Sequence, residues 1–181
     1  MRTHLNTSRG FTLIELMVAV AIFAIVAMLA SGAYLIMLDI DQRAQATTTG
    51  VDNLSFALES MTRTIRTGTH YNCGSPTGGD CGSGSVLYLT DQDGATVEFS
   101  LSGGAIDKTV GSPGVATPLT DPSVQITNLT FSVVGTAPYS AGGDTTQPYI
   151  FITVSGTTLA GPGKTVPFTV QTSAVMRGTD L

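Results

Sequence analysis

Arg9 to Leu38 reads RGFTLIELMVAVAIFAIVAMLASGAYLIML, and the rest of the chain is organised around it. From Phe11 to Leu38, 28 residues pass with one charged side chain, Glu15. As a helix that run rises about 42 Å, more than the ~30 Å of a bilayer's hydrocarbon core. A carboxylate deep in lipid is penalised by roughly 2.5 kcal/mol or more, so Glu15 asks for a partner. The segment before it, Met1 to Gly10, is polar and weakly basic, with Arg2 and Arg9. Acidic Asp39 and Asp41 follow the apolar run. Because Lys and Arg counts set orientation, this arrangement keeps the N-terminus in the cytoplasm and sends everything after Leu38 outside.

The order Gly10-Phe11-Thr12-Leu13-Ile14-Glu15-Leu16-Met17-Val18 resembles the N-terminus of type IV prepilins and pseudopilins. The resemblance implies that a prepilin peptidase cuts after Gly10 and methylates the new amine of Phe11. It also implies that Glu15, fifth after the cut, serves assembly. The physical reasoning agrees. A free Phe11 amine, with an ordinary pKa of about 7.7–8.0, stays mostly charged at neutral pH, and methylation keeps the charge. Glu15 of one subunit facing the Phe11 amine of a neighbour compensates two buried charges and fixes axial register. Stabilisation of Glu15 by its own helix N-terminus is the local alternative. Many family members carry proline where this chain has Gly32. The text from Leu87 to Lys108, and Val170 to Arg177, is similar to minor pilins and to J-type pseudopilins of type II secretion.

Two other readings of the apolar run stay open. A secretory signal would use Ala30-Ser31-Gly32-Ala33 as its cut site, against which stand Glu15 and the run's continuation to Leu38. A plain anchor would carry a surface β-domain that acts as a binding module without filament assembly.

The chain has 181 residues, of which 12% are charged, and its formal net charge is −5. Without Met1 to Gly10 it has six basic against thirteen acidic residues, a charge of −7. That balance argues against a nucleic-acid partner. The only histidines are His4 and His70, and there is no phosphate-cradling loop. Without a second extracytoplasmic histidine no familiar triad can be assembled, so neither an enzyme nor a small-molecule substrate or cofactor is expected.

Helical character continues past the membrane run. Ala44, Thr47, Val51, Leu54, Leu58, Met61 and Ile65 recur at three- and four-residue spacing, which predicts one buried face. Gly50 and Thr47 to Thr49 weaken that helix, and Gly68 supplies a stop. Beyond Gly68 the pattern alternates, predicting strands over 85–90, 95–101, 105–110, 124–134, 149–157 and 165–175. Asp91-Gln92-Asp93-Gly94 predicts a hairpin turn, with calcium on Asp91 and Asp93 as its alternative. Cys73 and Cys81, in an exported domain, predict a disulfide; a metal site of His70, Cys73, Asp80 and Cys81 is the alternative.

The expected architecture is α+β and pilin-like, a long N-terminal helix against a twisted antiparallel sheet. Its parts are a removed leader (1–10), a transmembrane and assembly helix (11–38), an amphipathic continuation (39–67) and a β-rich extracytoplasmic head (68–181). The expected partners are the prepilin peptidase, other pilins or pseudopilins, an inner-membrane assembly platform and membrane lipid.

Overall fold

A computed structural model describes residues 10–74, 79–137, 146–161 and 163–178. Met1 to Arg9, the expected leader, lie outside the described residues, as do Ser75 to Gly78, Pro138 to Thr145, Pro162 and Thr179 to Leu181.

Helix α1 spans Leu13–Thr67 without a break. The residues fall into two compact units, one ending at Gln42 and one beginning at Arg43. In the first, every apolar side chain from Phe11 to Ile40 is exposed, and an 18-residue window reaches a mean hydropathy of 2.8 with none of it buried. Ser31 and Gly32, which interrupt the apolar run, do not interrupt the helix: the Ser31 hydroxyl donates to the Ala27 carbonyl at 2.8 Å.

In the second unit the helix buries Ala46, Gly50, Leu54, Ala57, Leu58, Met61 and Ile65. The upper part of the expected stripe is correct, and the lower part is displaced. Ala44, Thr47 and Val51 are exposed, while Ala46 and Gly50 face inward. The cause is a close approach by the sheet. A Cβ on Gly50 would stand 3.2 Å from the Thr158 Cβ, and the Thr158 hydroxyl donates to the Ala46 carbonyl at 3.4 Å. Small residues are selected there, and hydrophobicity alone points to the wrong side. Gly50 therefore admits a neighbour and does not melt the helix.

Gly68 ends α1 as expected, for a steric reason: a Cβ would stand 2.6 Å from Leu89 Cδ1 and 3.0 Å from the Thr90 carbonyl oxygen. The terminal carbonyls find partners from afar. Arg177 N–H donates to Arg66 O at 3.0 Å, and the Tyr71 hydroxyl reaches both Ile65 O and Gly68 O.

Nine strands follow: β1 (Thr69–Cys73), β2 (Cys81–Gly84), β3 (Leu87–Thr90), β4 (Thr96–Ser102), β5 (Ala105–Val110), β6 (Ala116–Pro118), β7 (Val124–Val134), β8 (Tyr149–Leu159) and β9 (Thr165–Val175). They form two antiparallel sheets, ordered β1-β3-β4-β5-β6 and β2-β7-β8-β9. The fold is thus the expected pilin-like α+β arrangement of a long helix on antiparallel strands, with the strands divided between two sheets. Alternation placed β5, β7 and β9 at their observed limits. The short strands β1, β2 and β6 went unseen, because three to five residues with bulges or proline show little alternation.

One core joins the pieces. Leu54, Leu58, Met61 and Ile65 of the helix meet Leu87, Leu89, Val97, Phe99 and Ile106 of the first sheet. The second sheet adds Leu129, Phe131, Val133, Ile150, Ile152 and Val154 to the same cluster.

Candidate functional site

The first turn of α1 holds the residues singled out for processing and assembly. Gly10 and Phe11 precede the helix, and Phe11 is 84% exposed. Among the described residues, its chain neighbours aside, nothing lies within 4 Å of where a Gly10 Cβ would stand. Thr12 is the N-cap. Its hydroxyl accepts from Glu15 N–H at 3.3 Å, while its carbonyl accepts from Leu16 N–H at 3.2 Å. Threonine at the cap with glutamate three residues on is a helix-start signature that sequence reasoning passed over, although T-x-x-E is plain in the text.

This cap bears on Glu15. Its amide is used by Thr12, but its side chain is exposed and has no hydrogen bond or ion pair among the described residues. In the uncut chain the Phe11 nitrogen is an amide with no charge to offer. The helix N-terminus accounts for tolerance of an acidic residue in this turn. It does not supply the formal positive charge that a carboxylate in an apolar surround needs.

Cys73 and Cys81 form a disulfide, with their Cα atoms 6.0 Å apart. Cys73 ends β1 in the first sheet and Cys81 begins β2 in the second, so the bridge staples one sheet to the other. Both sulfurs are consumed, which removes the alternative of a metal held by His70, Cys73, Asp80 and Cys81. His70 sits in the left-handed region (φ 54°), where the β1–β3 register shifts, and its Nδ1 lies 3.1 Å from the Thr69 hydroxyl.

Asp80 has a different task. Its carboxylate accepts from Gly135 N–H at 3.1 Å and from both the N–H and the hydroxyl of Thr136 at 2.8 Å. Partial burial pushes its pKa up, but the hydrogen bonds from Thr136 and Gly135 outweigh that and hold the carboxyl below its ordinary value. It clamps the segment leaving β7.

The Asp91–Ala95 segment is the hairpin turn between β3 and β4. Asp91 Oδ1 accepts from the N–H groups of Asp93 and Ala95, both at 2.9 Å, and Gly94 adopts a φ of 80°. The carboxylate that would bind calcium is already building the turn, and no group of three His, Cys, Asp or Glu close enough to hold a metal occurs among the described residues. Beside this turn a groove of about 370 Å³ is lined by Arg63, Lys108, Asp91 and Asp93, among others. Lys108 Nζ there donates to the Thr64 hydroxyl at 3.2 Å and lies 5.9 Å from the Phe99 ring centroid. This groove contains charges of both signs.

Two groups of residues therefore emerge, and the fold keeps them apart in role. Gly10, Phe11 and Glu15 form an open, capped helix start, whereas Cys73, Cys81 and Asp80 hold the head together. A family model described as the prokaryotic N-terminal methylation motif matches residues 5–31 of the chain. No curated protein and no solved structure matches it. The chain thus carries the N-terminal methylation motif of type IV pilins and pseudopilins on an apolar helix, and the match ends inside that helix.

Proposed function

We propose that this pilin-like chain is a structural subunit of a type IV pilus or type II secretion pseudopilus. Prepilin peptidase cleaves it after Gly10 and methylates Phe11, and the freed amine of one subunit pairs with Glu15 of a neighbour. The observation that carries this reading is the methylation motif over residues 5–31, set on a helix with no buried residue from Leu13 to Leu38. A 26-residue face of that kind is satisfied only by lipid or by other helices. Before assembly the chain sits in the inner membrane, its N-terminus cytoplasmic and its head outside, and an inner-membrane platform then passes it to a filament of other pilins. Its role is structural and not catalytic.

Within that family the reading is a minor pilin or J-type pseudopilin. It is supported by the similarity of the Leu87–Lys108 hairpin text and of Val170 to Arg177. The disulfide adds to it by lying directly after the helix and not near the C-terminus.

The test is the intact mass and N-terminal sequence of the protein made alongside its native peptidase, compared with Gly10→Val and Glu15→Val. The expected wild-type chain begins at methylated Phe11, while Gly10→Val stays uncut. Glu15→Val is expected to insert and be cut but to stay out of filaments. A wild-type chain beginning at Met1 would leave a plain anchor bearing a surface module, and one beginning near Ala33 a secreted domain. Either result overturns the proposal.

A further inference from the structure

The upper half of α1 carries a second stripe, on the side away from its buried one. Asp52, Phe56, Glu59, Arg63 and Arg66 follow one another at four- and three-residue steps, and all five are exposed. Phe56 is 69% exposed and, with Glu59, Ser60 and Arg63, lines a groove of about 290 Å³. Among the described residues, neither the Glu59 carboxylate nor the Arg63 guanidinium has a hydrogen bond or ion pair. The two stand four residues apart, the spacing at which one helix can pair such charges with itself. Here it does not.

Charge is sorted along this stripe: acidic Asp52 and Glu59 come first, basic Arg63 and Arg66 last. Two chains anchored the same way in one membrane stand parallel. At equal height they set Asp52 against Asp52, Glu59 against Glu59 and Arg63 against Arg63, and like charges in contact repel. Raising one chain removes the conflict. A rise of four residues, about 6 Å along the helix, brings Glu59 of the upper chain level with Arg63 of the lower. It also brings Phe56 of the upper chain level with Ser60, among the residues that line the lower chain's groove. Phe11 and Glu15 are separated by the same four residues. The same rise therefore sets the upper chain's Phe11 amine level with the lower chain's Glu15.

We propose that this outer stripe of α1 docks on the same stripe of a second copy of the chain, parallel to it and displaced by four residues. Glu59 of one copy pairs with Arg63 of the next, and Phe56 seats in the next copy's groove. A second copy is the occupant because the stripe carries both halves of the charge pair. A copy that gives Glu59 to the chain below keeps Arg63 for the chain above. The contact is thus head-to-tail and repeats into a filament instead of closing on a pair. This inference rests on the reading of the chain as a filament subunit. To the Phe11–Glu15 pair it adds a second contact, outside the membrane, that selects the same register.

The experiment uses the full-length chain made with its native peptidase. Glu59→Arg and Arg63→Glu, singly, each set like charges in the contact. Each is expected to be cut after Gly10 and to keep the head's unfolding midpoint, yet to be lost from filaments. The two exchanges together restore an opposite pair and are expected to restore incorporation. Register is read by producing a Phe56→Cys chain together with a Ser60→Cys chain that carries a mass tag, then adding a short thiol-specific cross-linker. The mixed adduct is expected in excess over either homodimer. Single exchanges that assemble like wild type, a double exchange that rescues nothing, or homodimers in excess overturn the inference. Processing at Phe11, read as intact mass in the same samples, stands apart from those results. A wild-type chain left uncut overturns the underlying reading and this inference with it.

Discussion

Between Leu13 and Leu38 helix α1 buries no residue, whereas between Ala46 and Ile65 seven residues make a continuous buried stripe. The lower stretch is apolar on every side and the upper on one. A helix apolar all round must be surrounded, while an amphipathic one is finished by a single layer of sheet. The same element therefore leaves one half of its burial to lipid or neighbours and completes the other within the chain. Mutations placed in the exposed run and in the packed part of the molecule should therefore give different results.

The largest difference is expected from deleting apolar volume. Phe131 lies fully buried in the core, and Phe131→Ala should destabilise the head by about 3–5 kcal/mol through lost burial and the cavity left behind. Leu29→Ala removes a side chain that is 70% exposed and should leave the head's unfolding midpoint in detergent unchanged. Urea unfolding followed by tyrosine fluorescence reads both. A shift for Leu29→Ala comparable to that for Phe131→Ala would erase the distinction between the halves.

Removing the disulfide comes next. Replacing Cys73 and Cys81 together by serine frees a nine-residue loop, for which the chain-entropy model gives about 2.6 kcal/mol. Because the bridge joins two sheets, amide exchange should rise first in β1 and β2 and last in β8. Uniform acceleration across the head would show that the staple acts on the unfolded chain alone.

The two glycines of α1 sharpen the comparison further. Gly32 has nothing within 4 Å of its absent Cβ, so Gly32→Ala should strengthen that turn by about 1 kcal/mol, seen as slower amide exchange around Ser31. Gly50 faces Thr158 at 3.2 Å, and Gly50→Val should cost about 1–3 kcal/mol by overpacking. Equal effects of either sign would mean that the helix–sheet contact at Thr158 gives way easily.

These glycines also show what the sequence could convey. The apolar run, the buried positions from Leu54 to Ile65 and the long strands β7 and β9 were legible because hydrophobic periodicity records burial directly. Gly50 and Ala46 were misread because a close approach selects for small size, which looks like weakness in a propensity argument. Cys73 and Cys81 were paired correctly from composition and compartment. That they join two sheets was hidden, since β1 and β2 are too short to announce themselves. At the helix start Gly10, Phe11 and Glu15 stood out, while the cap at Thr12 lay in a motif that the membrane reading overshadowed. Asp80 was weighed as a ligand because its real partners, Gly135 and Thr136, lie more than fifty residues away.

Asp80 gives the smallest effect, and it belongs wholly to the head. Its carboxyl is held below the ordinary value by hydrogen bonds that only the folded chain makes, so it contributes stability when ionised. That contribution is complete above the unfolded pKa of about 3.9 and fades as pH falls through that value toward the lower folded one. Because the group is exposed, solvent screening keeps it below about 1 kcal/mol. Asp80→Asn should therefore melt slightly below wild type at pH 7, and the two should converge as the pH is lowered past 4. The amide of Thr136 should lose protection over the same window. A gap between the two proteins that stays constant down to pH 2 would mean that the clamp works through the shape of the side chain, with its charge contributing nothing.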